Sequence, residues 1–164
     1  MNTATANTHK KLSAGDYAPD FTLDTGSGEP ITLSEQRGKN VVVYFYPKDD
    51  TPGCTIEAQD FTRVIADFEY EDAVVIGISK DSVQSHCNFR DKYKLAVVLA
   101  SDQHGTVCEA YDSWMEKTNY GKKYMGIQRD TFLIDRKGII RKVWRKVEVK
   151  GHVQEVLEAV RDLD

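Results

Sequence analysis

The chain has 164 residues, a formal net charge of −4 and three cysteines. This length suits a single domain whose hydrophobic core is large enough to be stable without disulfides or metals. The acidic balance argues against a nucleic-acid-binding surface, and no apolar run reaches the roughly 20 residues of a membrane-spanning helix. We therefore expect neither a nucleic acid nor a membrane as a partner.

The cysteines and the N-terminus indicate the compartment and the extent of the domain. The three cysteines form no close pair, whereas secreted disulfide frameworks are usually denser and even in number. The first residues lack the apolar stretch of a secretory signal, so we expect a cytoplasmic protein. Residues 1–12 are polar and rich in Thr and Asn, which predicts a mobile N-terminal tail before one domain over 13–164.

The first quarter of the domain has an irregular pattern, because proline and glycine interrupt its apolar residues. We expect only short elements here. They are a strand at the end of 15–23, a turn over 24–30, a strand over 31–33 and a capped turn over 34–38.

From residue 41 onward the apolar spacing separates strands from helices. Compact β-branched runs predict strands, whereas apolar residues that recur about every 3.6 positions predict helices. The predicted strands cover 41–46, 73–79, 130–135 and 139–145, with a strand end or loop at 99–102. The predicted helices cover 52–68, 82–94, 105–111 and 151–163, and 112–125 forms a loop or hairpin arm. This order is typical of an α/β domain.

Cys54 has the sequence context of a reactive thiol, since it follows the strand over 41–46 at the start of a helix. Thr51 and Pro52 fit the N-cap and the first helical position. Unpaired N–H groups and the helix dipole at this end would stabilise a thiolate. Gly53 would leave room for a small substrate. The alternative is a buried free cysteine that packs as a small apolar side chain.

Several separated motifs make the sequence resemble a known family. The segment YFYPKDDTPGCTIEA contains Pro-x-x-x-Thr-x-x-Cys, the active-site motif of the peroxiredoxins, with Cys54 at the reactive position. The segments GISKDSVQSHCNF, KTNYGKKYMGIQRDTFLID and RKVWRKV resemble the bacterioferritin-comigratory-protein/peroxiredoxin Q branch. The resemblance extends over about residues 13–163.

This resemblance implies a thioredoxin-like fold and a thiol peroxidase without a metal or organic cofactor. Cys54 would attack the peroxide and become a sulfenic acid, while Thr51 orients the peroxide and Pro47 shields the pocket from water. Arg129 matches the arginine that pairs with the thiolate, a role that suits a permanently charged guanidinium. Glu57 also matches a family position, where we expect a structural or hydrogen-bonding residue.

The resemblance also implies the partners of such an enzyme. Its substrates would be hydrogen peroxide or alkyl hydroperoxides, and thioredoxin or a similar dithiol would reduce it again. Relatives in this branch are often monomeric, which implies a monomer here.

The sequence departs from the family pattern in its second cysteine. Many members carry a resolving cysteine five residues after the reactive one, and that position is Gln59 here. Some relatives resolve from the helix predicted over 82–94, at the position of Arg90. Cys87 lies one turn before Arg90 and shares roughly one face with it, so Cys87 is a candidate resolving cysteine. The alternatives are a packed free thiol at Cys87 and an external thiol that reduces Cys54.

The remaining chemistry-bearing residues have simpler interpretations. Cys108 lies on an apolar helix face and is expected in the core. The cysteines and histidines lack ligand-spaced pairs, so we expect no metal site. We expect Asp49 and Asp50 in a solvated turn. His86 points about 100° away from Cys87 on the helix, which weakens any assistance to a thiolate.

A rival function comes from a different class of protein. A thioredoxin-fold redox sensor or interaction protein would keep the scaffold and turn over poorly. The absence of a cysteine at position 59 favours this rival. The intact set of reactive-site residues favours the peroxidase, and it consists of Pro47, Thr51, Cys54 and Arg129.

Overall fold

The computed structural model describes residues 10–163 as an α/β domain. Its strands are Thr22–Leu23 (β1), Ile31–Thr32 (β2), Asn40–Phe45 (β3), Ala73–Ser79 (β4), Val98–Ser101 (β5), Trp114–Asn119 (β6), Lys122–Ile127 (β7), Asp130–Ile134 (β8) and Ile140–Trp144 (β9). Its helices are Pro52–Arg63 (α1), Ile65–Tyr70 (α2), Val83–Tyr93 (α3), Thr106–Ala110 (α4) and His152–Arg161 (α5).

Five of the strands form one mixed sheet in the order β5-β4-β3-β8-β9. β3 pairs in parallel with β4, which pairs in parallel with β5, whereas β8 runs antiparallel to both β3 and β9. Helices connect the parallel strands, as the geometry of parallel pairing requires. The predicted thioredoxin-like α/β fold is confirmed, and β3 is its central strand.

Every residue of β3 is buried, because the sheet is covered on both faces. Successive side chains of a strand point to opposite faces, so β3 contributes to two separate core clusters. Val42 and Tyr44 pack with α1, α2, α3 and α5. Val43 and Phe45 pack with α4 and the N-terminal segment. The uninterrupted apolar run at 41–46 is therefore explained by a strand with no solvent-facing side.

Tyr44 is fully buried and its ring lies directly over Gly77 of the neighbouring strand β4. A Cβ atom at position 77 would lie 2.6 Å from Cζ of Tyr44. Glycine is thus required at this position in β4, although glycine inside a strand is otherwise unfavourable. The ring of Tyr44 also stacks on Phe61 of α1 at 4.7 Å, which fixes α1 against the sheet.

The predicted helix over 52–68 is wrong in one respect, because it is two helices. Val64 separates α1 from α2 with φ −115° and ψ 21°, outside the helical region. The apolar spacing continues across this break, since Phe61 and Phe68 face the same core cluster with their rings 5.8 Å apart. Periodicity alone therefore could not reveal the break.

The segment 112–125 resolves into the hairpin arm that the sequence offered as one alternative. β6 and β7 pair antiparallel over six residues each and form their own two-stranded sheet. Tyr120 and Gly121 connect them with φ values of 52° and 77°. Two positive φ values are the requirement of a two-residue hairpin turn.

The N-terminal segments are only partly regular. The irregular lead-in predicted over 15–23 ends, as expected, in a short strand, the two residues of β1. Residues 1–9 of the predicted mobile tail lie outside the described residues. The backbone N–H of Leu12 donates to Asp112 at 2.9 Å, and its carbonyl oxygen accepts from Arg145 at 3.3 Å. Across the described range, every helix is too short or too polar to cross a bilayer.

Candidate active site

Cys54 lies in the first turn of α1, at the carboxyl end of the central strand β3. Its side chain is nearly enclosed, with 2% of the residue exposed. Helix α1 begins with the hydrogen bond from Thr55 N to the carbonyl oxygen of Thr51 at 2.9 Å. The sulfur is therefore close to the positive end of the helix dipole, as the sequence predicted.

Arg129 contacts the sulfur of Cys54, with Nη2 3.4 Å from Sγ. Its Nη1 donates to Oε1 of Glu57 at 2.7 Å. Cys54 and Glu57 lie three residues apart on α1, so one guanidinium can reach both. Arg129 comes from the turn before β8, and Phe45 of β3 pairs with Asp130. The antiparallel register thus carries Arg129 to the same edge of the sheet as Cys54, 75 residues away in sequence.

Gly53 permits this close approach of Arg129. A Cβ atom at position 53 would lie 3.1 Å from Nη2 of Arg129 and would force the guanidinium to shift. The sequence predicted that this glycine leaves space for a small substrate. In the structure, the space beside the helix is occupied by the arginine.

Glu57 is completely buried and carries a shifted pKa. Burial raises the pKa of its carboxyl from 4.5 to about 7, although the charge and hydrogen bond of Arg129 act in the opposite direction. Its Oε2 atom has no hydrogen-bond partner within the described part of the chain. The expectation of a hydrogen-bonding residue at this position is confirmed.

Arg129 itself is 17% exposed at its side chain. Burial lowers its pKa, but Glu57 and Cys54 outweigh this effect and the net pKa is raised. The guanidinium therefore stays charged beside the sulfur. A fixed positive charge in a water-poor site is the arrangement that stabilises an anionic sulfur or a developing negative charge.

Thr51 and Pro47 lie on the loop between β3 and α1. Thr51 is the N-cap of α1 by position, but its side chain does not cap the helix. Its hydroxyl instead donates to the carbonyl oxygen of Lys48 at 2.8 Å, so the predicted side-chain cap is wrong. The hydroxyl keeps its oxygen lone pairs available as acceptors. Pro47 is exposed.

Asp49 is buried, which contradicts the expectation of a solvated turn at 49–50. Its Oδ1 accepts from the hydroxyl of Tyr46 at 2.5 Å, and its Oδ2 accepts from Ser85 at 2.8 Å. Oδ2 also lies 2.7 Å from Nδ1 of the fully buried His86. Asp50 alone is exposed, and it pairs with Lys92. Sequence reasoning missed Asp49 because two adjacent aspartates look alike until helix α3 covers one of them.

His86 makes a polar contact at each of its ring nitrogens. Its Nε2 lies 3.0 Å from the carbonyl oxygen of Ala100, and its Nδ1 lies 2.7 Å from Oδ2 of Asp49. The buried contact with Asp49 ties the loop before Cys54 to helix α3.

Cys87 lies on α3 immediately after His86 and is half-buried. Its sulfur is 3.7 Å from Nη2 of Arg90 and 3.8 Å from Oδ2 of Asp91. The structure brings Cys54 together with Arg129 and Glu57, but it does not pair Cys54 with Cys87, since both are free thiols. Cys108 is completely buried in the core as expected, and burial raises its pKa to about 12.

One cluster has the composition of a metal site. Ligand atoms of Asp49, Asp81 and His86 lie within 4.8 Å of one another. These atoms are already engaged, because Asp81 accepts from Ser79 at 2.6 Å and from the backbone N–H of Asp49 at 2.8 Å. These hydrogen bonds and the contact between Asp49 and His86 hold the three side chains together.

The chain is similar over most of its length to known proteins. The model of the AhpC/TSA family matches residues 14–143. A putative peroxiredoxin bcp from Coxiella burnetii is 52% identical over 146 residues, covering 89% of this chain and 97% of that protein. Peroxiredoxin Bcp from Bacillus subtilis is 48% identical over 152 residues, covering 93% of this chain and 97% of that protein.

Solved structures are similar over nearly the whole chain. The bacterioferritin comigratory protein of Xanthomonas campestris, studied for its alkyl peroxide reduction activity, has a TM-score of 0.83 and 42% identity over 87% of this chain and 90% of its own. A cysteine-to-serine mutant of Xylella fastidiosa PrxQ has a TM-score of 0.89 and 37% identity over 94% of this chain and 98% of its own.

The raised pKa of Glu57 predicts a pH-dependent stability. Its folded pKa lies above the unfolded value, so its contribution is complete below pH 4.5 and is lost as pH rises through about 7. Each unit of pKa difference corresponds to about 1.4 kcal/mol. We expect wild type to lose about 2–3 kcal/mol relative to Glu57→Gln between pH 5 and pH 8. Urea unfolding at several pH values measures this, and parallel curves would contradict it.

The buried pair of Asp49 and His86 predicts a large cost for removing one partner. Either Asp49→Asn or His86→Asn leaves a buried polar group without its hydrogen-bond partner, which costs about 1–3 kcal/mol. The double variant should cost less than the sum of the two. Asp50→Asn is the matched control, because its exposed pair with Lys92 should matter little. Urea unfolding of the four variants decides; equal stability of His86→Asn and Asp50→Asn would refute the buried pair.

Proposed function

Because this chain belongs to the AhpC/TSA family, we propose that Cys54 is the thiolate with which it reduces peroxides. The chain is a peroxiredoxin, an oxidoreductase that acts on peroxides with thioredoxin-type reductants. The observation that supports the assignment to Cys54 is the 3.4 Å contact between its sulfur and the guanidinium of Arg129. Cys87 also contacts a guanidinium, that of Arg90, but it lies beyond the first turn of α3, and burial raises the pKa of Cys108 to about 12.

The proposed reaction transfers one oxygen atom to sulfur. The thiolate of Cys54 attacks the terminal oxygen of the hydroperoxide, an S–O bond forms and the O–O bond breaks. Sulfur is oxidised by two electrons to a sulfenic acid, which keeps the terminal oxygen and its proton. The other oxygen leaves as hydroxide or alkoxide and takes a proton from solvent. Negative charge moves from sulfur to the leaving oxygen, and Arg129 stabilises both positions.

Thr51 and Pro47 would complete the site on the loop before α1. The hydroxyl of Thr51 already donates to Lys48, so it would accept a hydrogen bond from the O–H of the peroxide. This contact would hold the terminal oxygen in line with the sulfur. Pro47 would limit the access of water from the outer side of the loop.

The second half of the cycle is the reduction of the sulfenic acid. The thiolate of Cys87 would attack the sulfur of Cys54 and release hydroxide, which leaves a disulfide between them. Because the two thiols are separate in the structure, α1 or α3 must open locally before this bond forms. The alternative is attack by an external thiol. Thioredoxin or a similar dithiol would then restore both thiols.

The proposed setting is a reducing compartment such as the cytoplasm, because the three cysteines are spaced without the close pairs of a secreted disulfide framework. The family resemblance adds that the protein would be a monomer.

Removal of the proposed nucleophile should abolish the reaction. Cys54→Ser should lose peroxide consumption, because serine is not ionised at neutral pH. Arg129→Met should lower the rate constant about 10²–10³-fold, the usual cost of removing one charge-stabilising donor. Arg141→Met is the control, since Arg141 is an exposed arginine on β9. Stopped-flow consumption of hydrogen peroxide measures these rates, and equal slow rates in wild type and Cys54→Ser would rule out the proposed site.

The resolving step predicts a specific cross-link. Mass spectrometry of peroxide-treated wild type should find a peptide that links Cys54 to Cys87. Cys87→Ser should remove this peptide and leave an oxidised, unlinked Cys54, while Cys108→Ser should leave the link intact. An unlinked sulfenic acid in wild type would instead support reduction by an external thiol.

A further inference from the structure

A groove of about 620 Å³ adjoins the proposed active site on the side of the β6–β7 hairpin. Arg129 lines this groove and at the same time contacts the sulfur of Cys54. The groove also contains two lysines, Lys117 on β6 and Lys146 after β9. The one acidic residue that lines the groove is Glu116, which is exposed. The groove is therefore a recess with three cationic side chains, and one of them, Arg129, also belongs to the proposed active site.

Lys117 is the half-buried cation of this groove. Its stem lies over Gly126 of β7, where a Cβ atom would be 3.3 Å from Cδ of the lysine. This packing directs the side chain along the hairpin instead of into solvent. Within residues 10–163 its ammonium makes neither a hydrogen bond nor an ion pair.

The charges around Lys117 favour an added anion. Burial, and then Arg129, lower the pKa of Lys117, whereas Cys54 and Asp130 raise it. The carboxylate of Asp130 cannot serve Lys117 fully, because other groups already donate to it. These donors are the hydroxyl of Ser113, the amide of Gln128, the guanidinium of Arg145 and the backbone N–H of Lys146. Within residues 10–163, the ammonium of Lys117 therefore lies near Arg129 without a carboxylate paired to it.

The groove is also lined by apolar and aromatic side chains, together with the polar Thr118 and Gln128. Met115 lies two residues before Lys117 on the same face of β6. Tyr124 of β7 is the cross-strand partner of Lys117. Val147 closes the opposite side, and its backbone N–H donates to the carbonyl oxygen of Arg129 at 2.8 Å. A carbon skeleton could therefore lie between the peroxide position and the lysines.

We propose that this groove binds the anionic group of organic hydroperoxides and that Lys117 determines this specificity. The inference rests on the proposed reaction at Cys54 and adds a substrate class to it. The hydroperoxide end of such a substrate lies at Cys54 and Arg129. Its carboxylate pairs with the ammonium of Lys117, and the skeleton between them contacts Met115 and Val147.

The test compares two substrates that differ only in charge. A carboxylated cumene hydroperoxide and its methyl ester have nearly the same skeleton, and hydrogen peroxide serves as the substrate without one. We expect wild type to react several-fold faster with the acid than with the ester, measured as kcat/KM. Lys117→Met should lower kcat/KM for the acid about 5–10-fold, the size of one partly buried ion pair. Reaction with the ester and hydrogen peroxide should change less than about twofold.

Two further variants of the chain serve as controls. Lys117→Arg retains the charge and should retain the preference for the acid. Lys122→Met removes an exposed lysine from the tip of the same hairpin and should change nothing. Higher salt should reduce the preference in wild type, because salt screens an ion pair that is partly open to solvent.

The results separate the two proposals. Equal rates of wild type with acid and ester, or an equal loss in Lys117→Met with all three peroxides, would overturn the subsite. Neither result would affect the reaction at Cys54. A wild type whose hydrogen peroxide consumption does not depend on Cys54 would instead overturn the proposed function.

Discussion

Arg129 places one positive charge between a buried carboxyl and a sulfur, and the surrounding fold supplies the conditions for that contact. Helix α1 presents Cys54 and Glu57 on one face, while the pairing of β3 with β8 brings Arg129 to the same edge of the sheet. The core holds these elements in register, because β3 is buried on both faces and its Tyr44 stacks against α1. The geometry at the sulfur thus depends on the central strand.

Two buried polar contacts hold the chain on either side of Cys54. Glu57 of α1 pairs with Arg129, and Asp49 of the preceding loop contacts His86 of α3. Removing one partner of such a contact is costly, because the other is left unmatched in a poorly solvated site. Since His86 immediately precedes Cys87, the same contact also restrains the helix that carries the proposed resolving thiol. Buried polar contacts therefore restrain both α1, which carries Cys54, and α3, which carries Cys87.

The sequence around Cys54 was sufficient to predict the secondary structure around it. The apolar run before Pro47 and the residue types at Thr51 and Pro52 predicted a strand and a helix start, with Cys54 in the first turn. Arg129 was different, because its contact depends on strand register over 75 residues and only the family resemblance indicated it. Burial of Asp49 depends on how α3 packs, so no local pattern distinguishes it from Asp50. The break at Val64 was also hidden, since the apolar spacing continues through it.

Gly53 has a consequence for the mechanics of helix α1. It allows the guanidinium to approach because it has no side chain, but glycine within a helix costs about 1 kcal/mol relative to alanine. Pro52 before it does not add to this cost, because an N–H at the first helical position would have no intrahelical partner. The turn that carries Cys54 is therefore intrinsically less stable than the turns that follow, where Ala58 and Phe61 are anchored in the core. Gly53 therefore lets the positive charge approach the sulfur and also makes the first turn of α1 easier to unfold.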